Sequence, residues 1–251
     1  MSFATLQGSR RPFLTAQWRH LAMLNFEVDP ALVHPLVPAG TELDDFGGRT
    51  FVSLVGFLFL DTRVFGIRIP RHADFEEVNL RFYVRRKTSE GWRRGVVFVK
   101  ELVPRVAIAV TARVFYGENY AAVAMSHRVD VEKDNGEPRR RVSYRWQFAG
   151  REHRIHLVAR GEAREIAAGS EEEFITEHYW GYARQRHGAT LEYRVEHPRW
   201  SVWTAQEAHF EGDAARLYGE RFAASLTAAP ASAFLADGSK VIVFTPTRLS
   251  I

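Results

Sequence analysis

FEEVNLRFYVRRKTSEGWRRGVVFVKELV, residues 75–103, is the stretch that decides the fold class. Val78, Leu80, Phe82 and Val84 alternate with Asn79, Arg81, Tyr83 and Arg85, the period-2 pattern of a strand with one buried face. Ser89-Glu90-Gly91 then turns the chain and Trp92–Val103 returns, so the two strands read as an antiparallel hairpin. Upstream, AQWRHLAMLNFEV (residues 16–28) is a first strand without Gly or Pro, and Arg49–Asp61 places Val52, Leu54, Gly56, Leu58 and Leu60 on one face. Between them Asp29 is an N-cap and Pro30 a first helical residue, while Pro35 and Pro38 confine the helix to Ala31–Val37.

Downstream, Pro104 opens a helix in which Ala107, Ile108, Thr111, Ala112 and Phe115 recur at helical spacing up to Gly117. Ser126–Glu132 and Arg141–Phe148 flank the turn Asp134-Asn135-Gly136, and Arg151–Glu165 continues the meander. Ser170 with Glu173 forms a capping box for a helix through about Tyr179. Leu191–Val195, Trp200–Phe210, a short helix over Ala214–Ala223 and a last strand Lys240–Thr245 follow. The expected fold is mostly β, a β-rich α+β arrangement of antiparallel strands as a barrel or paired sheets with a few short helices. No repeat or linker interrupts it, so residues 1–251 are expected to form a single domain.

Composition removes several function classes. With no cysteine, disulfides, thiolate metal sites and a cysteine nucleophile are excluded, and a reducing cytoplasm is the expected home. The N-terminus has no apolar run after Arg10-Arg11, and the longest apolar stretch, Phe51–Leu60, is half the ~20 residues of a spanning helix; neither a signal peptide nor a membrane span is expected. The net charge of +4 comes from 34 basic and 30 acidic residues that are largely interspersed, with short basic runs such as Arg10-Arg11 and Arg139-Arg140-Arg141, so nucleic acid is not an expected partner. No phosphate loop, G-x-S-x-G elbow, H-E-x-x-H or calcium loop is present; no cofactor and no metal are expected. His153 and His156 are three apart on a strand, hence on opposite faces, and read as surface histidines; His20, among Trp18, Leu21 and Met23, reads as a core or pocket residue.

Lys100 is the most informative position. Val96, Phe98 and Leu102 lie at even spacing from it, so a regular strand sends its ammonium toward their apolar face. Such a lysine pairs with a carboxylate, here Glu101, Glu76 or Glu77, or snorkels to solvent, or loses its proton and becomes a nucleophile toward carbonyls.

WRHLAMLNFEVDPALVHPLVPAGTEL (residues 18–43) and RRGVVFVKELVP (residues 93–104) resemble the entry segment and active-site strand of the acetoacetate-decarboxylase-like superfamily, and within it an uncharacterised bacterial branch, a domain of unknown function. The resemblance covers the first half of the chain, and the second half only by its β character. It implies that Lys100 is a Schiff-base lysine and that Arg19 holds a substrate carboxylate. Two departures accompany it: Glu101 stands where those decarboxylases carry a second lysine whose charge lowers the pKa of the first, and Val52 falls near a family glutamate. Across the hairpin, Glu76 and Glu77 are candidates to move protons near Lys100, whereas Glu118 and Tyr120, in GENY, read as loop residues. The expected partner is a small carbonyl or carboxylate ligand, with homo-oligomerisation compatible with the chain. A Schiff-base enzyme of decarboxylase, aldolase or dehydratase type, a non-catalytic small-molecule-binding barrel and an interaction protein with aromatic surface patches all remain open.

Overall fold

The computed structural model describes residues 11–109, 117–134, 136–185 and 187–249. Arg10, most of the helix expected after Pro104 and Asn135 of the expected turn lie outside the described residues, although residues 106–109 are helical. The strands are β1 (Pro12–Val28), β2 (Glu42–Leu43), β3 (Thr50–Val64), β4 (Ile67–Arg68), β5 (Phe75–Thr88), β6 (Gly91–Val103), β7 (Tyr120–Ala122), β8 (Met125–Asp134), β9 (Glu137–Phe148), β10 (Arg151–Arg160), β11 (Arg164–Glu165), β12 (Trp180–Arg184), β13 (Thr190–Glu196), β14 (Ser201–Glu211), β15 (Ser232–Phe244) and β16 (Thr247–Arg248). Short helices span Pro30–Val33, Glu171–Thr176, Ala214–Tyr218 and Glu220–Thr227.

The expected hairpin forms, with β5 and β6 antiparallel from Thr88↔Gly91 to Val78↔Leu102. Pairing then runs β13–β12–β6–β5–β3–β1–β15, and β15 pairs back to β13, so these seven strands close a barrel. Only the β6–β12 seam is parallel within that ring. The other end of β15 carries β14, from which β10, β9 and β8 continue as a second antiparallel sheet. That sheet lies over the barrel wall: Tyr144, Trp146 and Leu157 pack with Leu54, Leu80 and Leu102, and Leu217 and Phe222 of the last helices join them. The wall strands are therefore covered on both faces. This is why β3 is almost continuously apolar, with Val52, Leu54 and Leu58 outward and Phe51, Val55, Phe57 and Phe59 inward.

Two bulges reset which residues point inward. In β1 the register against β3 shifts between Arg19 and Ala22, with His20 at φ 55°, so Trp18 before it and Leu21 after it share one side. In β6 the register shifts between Phe98, opposite Arg81, and Lys100, opposite Leu80, leaving Val99 as the extra residue. The capping-box helix stops at Thr176, short of the expected end near Tyr179, and Trp180–Arg184, to which the sequence assigned no element, is a barrel strand. The last long strand begins at Ser232, eight residues before the expected start at Lys240.

Candidate functional site

The barrel is hollow, enclosing a cavity of about 390 Å³ to which all seven of its strands contribute. That volume falls in the range of small-molecule sites. Most of the wall is apolar, with the aromatic rings of Trp18, Phe57, Phe59, Phe75, Phe98 and Trp200 lining the cavity. Against it stands a polar cluster: Glu77, Asn79 and Arg81 of β5, Glu101 of β6, Glu118 and Tyr120 beyond it, and Tyr193 of β13.

The strand pleat explains the cluster. On β5 the apolar alternates Val78, Leu80 and Phe82 face the outer sheet, so the polar alternates face the lumen rather than solvent; Glu77 is 3% and Asn79 2% exposed. On β6 the bulge at Val99 breaks the even spacing. Val96 and Phe98 remain inward, but beyond the bulge Glu101 takes that side and Lys100 and Leu102 turn outward. Glu101 thus occupies the lumen position that regular alternation assigns to Lys100.

Hydrogen bonds knit the cluster together. Asn79 Nδ2 donates to Glu77 Oε1 at 2.9 Å, the Tyr120 hydroxyl to Glu77 Oε2 at 3.3 Å, and the Tyr193 hydroxyl to Glu118 Oε1 at 2.5 Å. Tyr193 reaches Glu118 across Gly181, its cross-strand partner, where a Cβ would lie 2.0 Å from the tyrosine ring. Burial pushes the Glu77 carboxyl up to about 7 and Glu118 up to about 8, and it raises Glu101 well above the usual carboxylate range, with the charges of Glu118 and Glu77 adding to the rise. Glu101 and Glu118 also share a hydrogen bond, which favours the protonated form of Glu101 and the ionised form of Glu118. A cluster that holds protons through neutral pH, inside an apolar cavity, is equipped for acid–base exchange with a bound molecule.

The four residues singled out from sequence do not converge. Glu77 lies in the cluster. Glu76, one residue away and on the opposite face of β5, bonds His127 Nδ1 at 2.6 Å outside the barrel. Lys100 does not line the lumen: its ammonium donates to Leu217 O at 2.5 Å and lies 5.0 Å from the Phe148 ring centre, between the barrel wall and the outer layer. Burial alone lowers its pKa. Arg19 bonds Gly238 O at 3.1 Å and Gln17 Oε1 at 2.9 Å and is likewise not among the lining residues. Glu118, in a loop as expected, and Tyr120, which opens β7, both border the cavity. The signals for the cluster were the polar alternation of β5 and a carboxyl beside a tyrosine, and neither distinguishes a lumen from bulk water. His153, read as a surface residue, is 1% exposed and stacks on Trp146 under the outer sheet.

Known proteins place this architecture. A family model of uncharacterised conserved proteins, DUF2071, matches residues 15–240. The uncharacterised protein YqjF of Bacillus subtilis is 27% identical over 197 residues, 77% of this chain and 75% of that one. Among solved structures, an acetoacetate decarboxylase from Legionella pneumophila superposes with a TM-score of 0.64 at 12% identity, covering 100% of this chain and 92% of the other. The enduracididine biosynthesis enzyme MppR, complexed with the condensation product of pyruvate and imidazole 4-carboxaldehyde, gives 0.67 at 11%, covering 96% and 90%. An acetoacetate decarboxylase-like enzyme from Sphingomonas wittichii gives 0.62 at 16%, covering 96% and 94%. With a closed barrel of the acetoacetate-decarboxylase type and a family match over nearly its whole length, the chain belongs to the DUF2071 family.

Proposed function

We propose that this protein binds a small, largely apolar organic molecule inside the barrel, with the carboxyl cluster exchanging protons with the molecule's polar end. The observation that carries this reading is the lumen itself: an aromatic cavity of about 390 Å³ whose polar groups gather around Glu77, Glu101 and Glu118. Apolar burial supplies affinity at roughly 25 cal/mol per Å², and a few convergent polar groups fix orientation. The test is a thermal-shift screen of small aromatic and aliphatic molecules, read together with the fluorescence of the lumen tryptophans Trp18, Trp180 and Trp200. Binders should raise the Tm by mass action and perturb that fluorescence, and Phe98→Trp, which fills the cavity, should weaken them. A screen in which stabilisation survives Phe98→Trp unchanged would move the site elsewhere.

A Schiff-base lysine is the second reading, supported by the relatives' decarboxylase fold and by the burial that favours the neutral amine of Lys100. Its difficulty is geometric, because Lys100 is turned away from the lumen and bonded to Leu217 O. Borohydride reduction with acetoacetate or with pyruvate, the compound bound in one MppR complex, followed by mass spectrometry, decides it. A reduced adduct on Lys100 supports an imine enzyme; none with either ketoacid removes the reading.

A further inference from the structure

On the reading of the lumen as a ligand site, its unpartnered atoms specify what the ligand must carry. Among the described residues, Asn79 Oδ1 and Glu101 Oε2 are buried and accept no hydrogen bond, and both residues border the cavity. Asn79 is 2% and Glu101 1% exposed. They stand directly opposite each other in the β5–β6 ladder, where side chains begin about 5 Å apart.

Chemistry fixes both atoms as acceptors. Asn79 turns its amide nitrogen to the Glu77 carboxyl, so its oxygen is the end left over. Glu101 Oε2 has no donor on it, and the ionised carboxylate offers only lone pairs there. Two adjacent buried acceptors call for a donor with more than one N–H or O–H. Charge narrows the choice further. Three carboxyl groups and one guanidinium, Arg81, border the lumen, and no lysine does among the described residues. With those carboxyls ionised a cation improves that balance, and the aromatic wall tolerates both a cation and an apolar body.

We propose that the lumen takes a small organic amine with an apolar body, its protonated nitrogen donating to Asn79 Oδ1 and Glu101 Oε2. The competing occupants are a water held by the same acceptors beneath a neutral ligand, and an anion drawn to Arg81, whose Nε is an unpartnered donor together with Trp18 Nε1.

The experiment compares phenethylamine, 2-phenylethanol and 3-phenylpropanoate, which share an aromatic body and differ in the charge of the polar end, by isothermal titration and tryptophan fluorescence at pH 7.5. Phenethylamine should bind at least about tenfold more tightly than either analogue, the discrimination expected of charge-assisted hydrogen bonds in a buried site. Because the cation favours ionised carboxylates, its binding should release protons, seen as a heat that varies with the ionisation enthalpy of the buffer. Glu101→Gln should erase most of the preference by weakening phenethylamine far more than 2-phenylethanol; should that variant fail to fold, proton release by the unaltered protein remains the deciding readout. If 2-phenylethanol or 3-phenylpropanoate binds as tightly as the amine, or the amine releases no protons, the amine inference is overturned while the small-molecule reading stands. If none of the three perturbs the lumen tryptophans, both are overturned.

Discussion

Burial holds a proton on Glu77 up to about 7 and on Glu118 up to about 8, whereas an unfolded glutamate titrates near 4.5. A raised carboxyl stabilises the folded state fully below the unfolded value, and that contribution is lost as pH rises through the folded one. The buried His178, lowered to about 4 by desolvation, acts with the opposite sign, destabilising the fold as pH falls below 6.5. Between pH 6.5 and 9 the histidine contribution is silent and the carboxyls dominate. Stability should fall by something on the order of 2–3 kcal/mol over that window. Chemical denaturation at half-unit pH steps measures it, and Glu118→Gln should flatten the profile. A flat profile would mean that water reaches the cluster freely. Little of this was legible from sequence. Glu77 could be named because it flanks a hairpin strand, but Glu101 entered only through Lys100, as its ion-pair partner or a disturbance to its pKa, since nothing in VVFVKELV announces an extra residue at Val99.

Elements meet through a few close approaches that only small residues allow. Gly56 of β3 lies under the ring of Tyr144 from the outer sheet, where a Cβ would come within 2.5 Å of Cδ2, and the Tyr144 hydroxyl donates to His20 O at 2.8 Å at the β1 bulge. One tyrosine thus ties the second sheet to two barrel strands. Gly56→Ala should cost about 1–3 kcal/mol by overpacking, and adding Tyr144→Ala should cost much less than the sum of the single changes, because the clash disappears with the ring. Additive losses in a double-mutant cycle would place the strain elsewhere. The same scale explains which strands were legible. The alternation of β5 and the apolar run of β3 are periodic over many residues, whereas β12 has five, too few to show a period behind a capping box. The start of β15 was obscured by Asp237-Gly238, a turn pair by composition. Here Gly238, at φ 78°, packs against the β1 bulge, where a Cβ would meet Trp18 O at 2.1 Å.

The whole molecule depends on closure, and closure is uneven. β1, β3 and β5 are laced by long antiparallel ladders, but the ring is completed by β12 against β6 at Trp180↔Gly95 and Gly181↔Val96, and by β13 against β15 at Val195↔Val243 and Glu196↔Ile242. These seams join segments far apart in sequence, so local periodicity shows a mostly β chain without showing which strands close it, and resemblance to a known barrel was the only guide to closure. Few ladder bonds also mean a low local opening free energy. Gly95 and Gly181 leave no side chain to bolt the parallel seam, and Tyr193, which fills the space over Gly181, anchors it through Glu118 at the edge of the lumen. The seam and the site therefore share a residue. Hydrogen exchange should find the amides of β12 and of Val195–Glu196 less protected than those of β1 and β3, and a lumen ligand should slow exchange at these seams most. Protection equal to that of β1 in the free protein would show that the barrel does not open there, and a ligand effect confined to the outer sheet would separate the seam from the site.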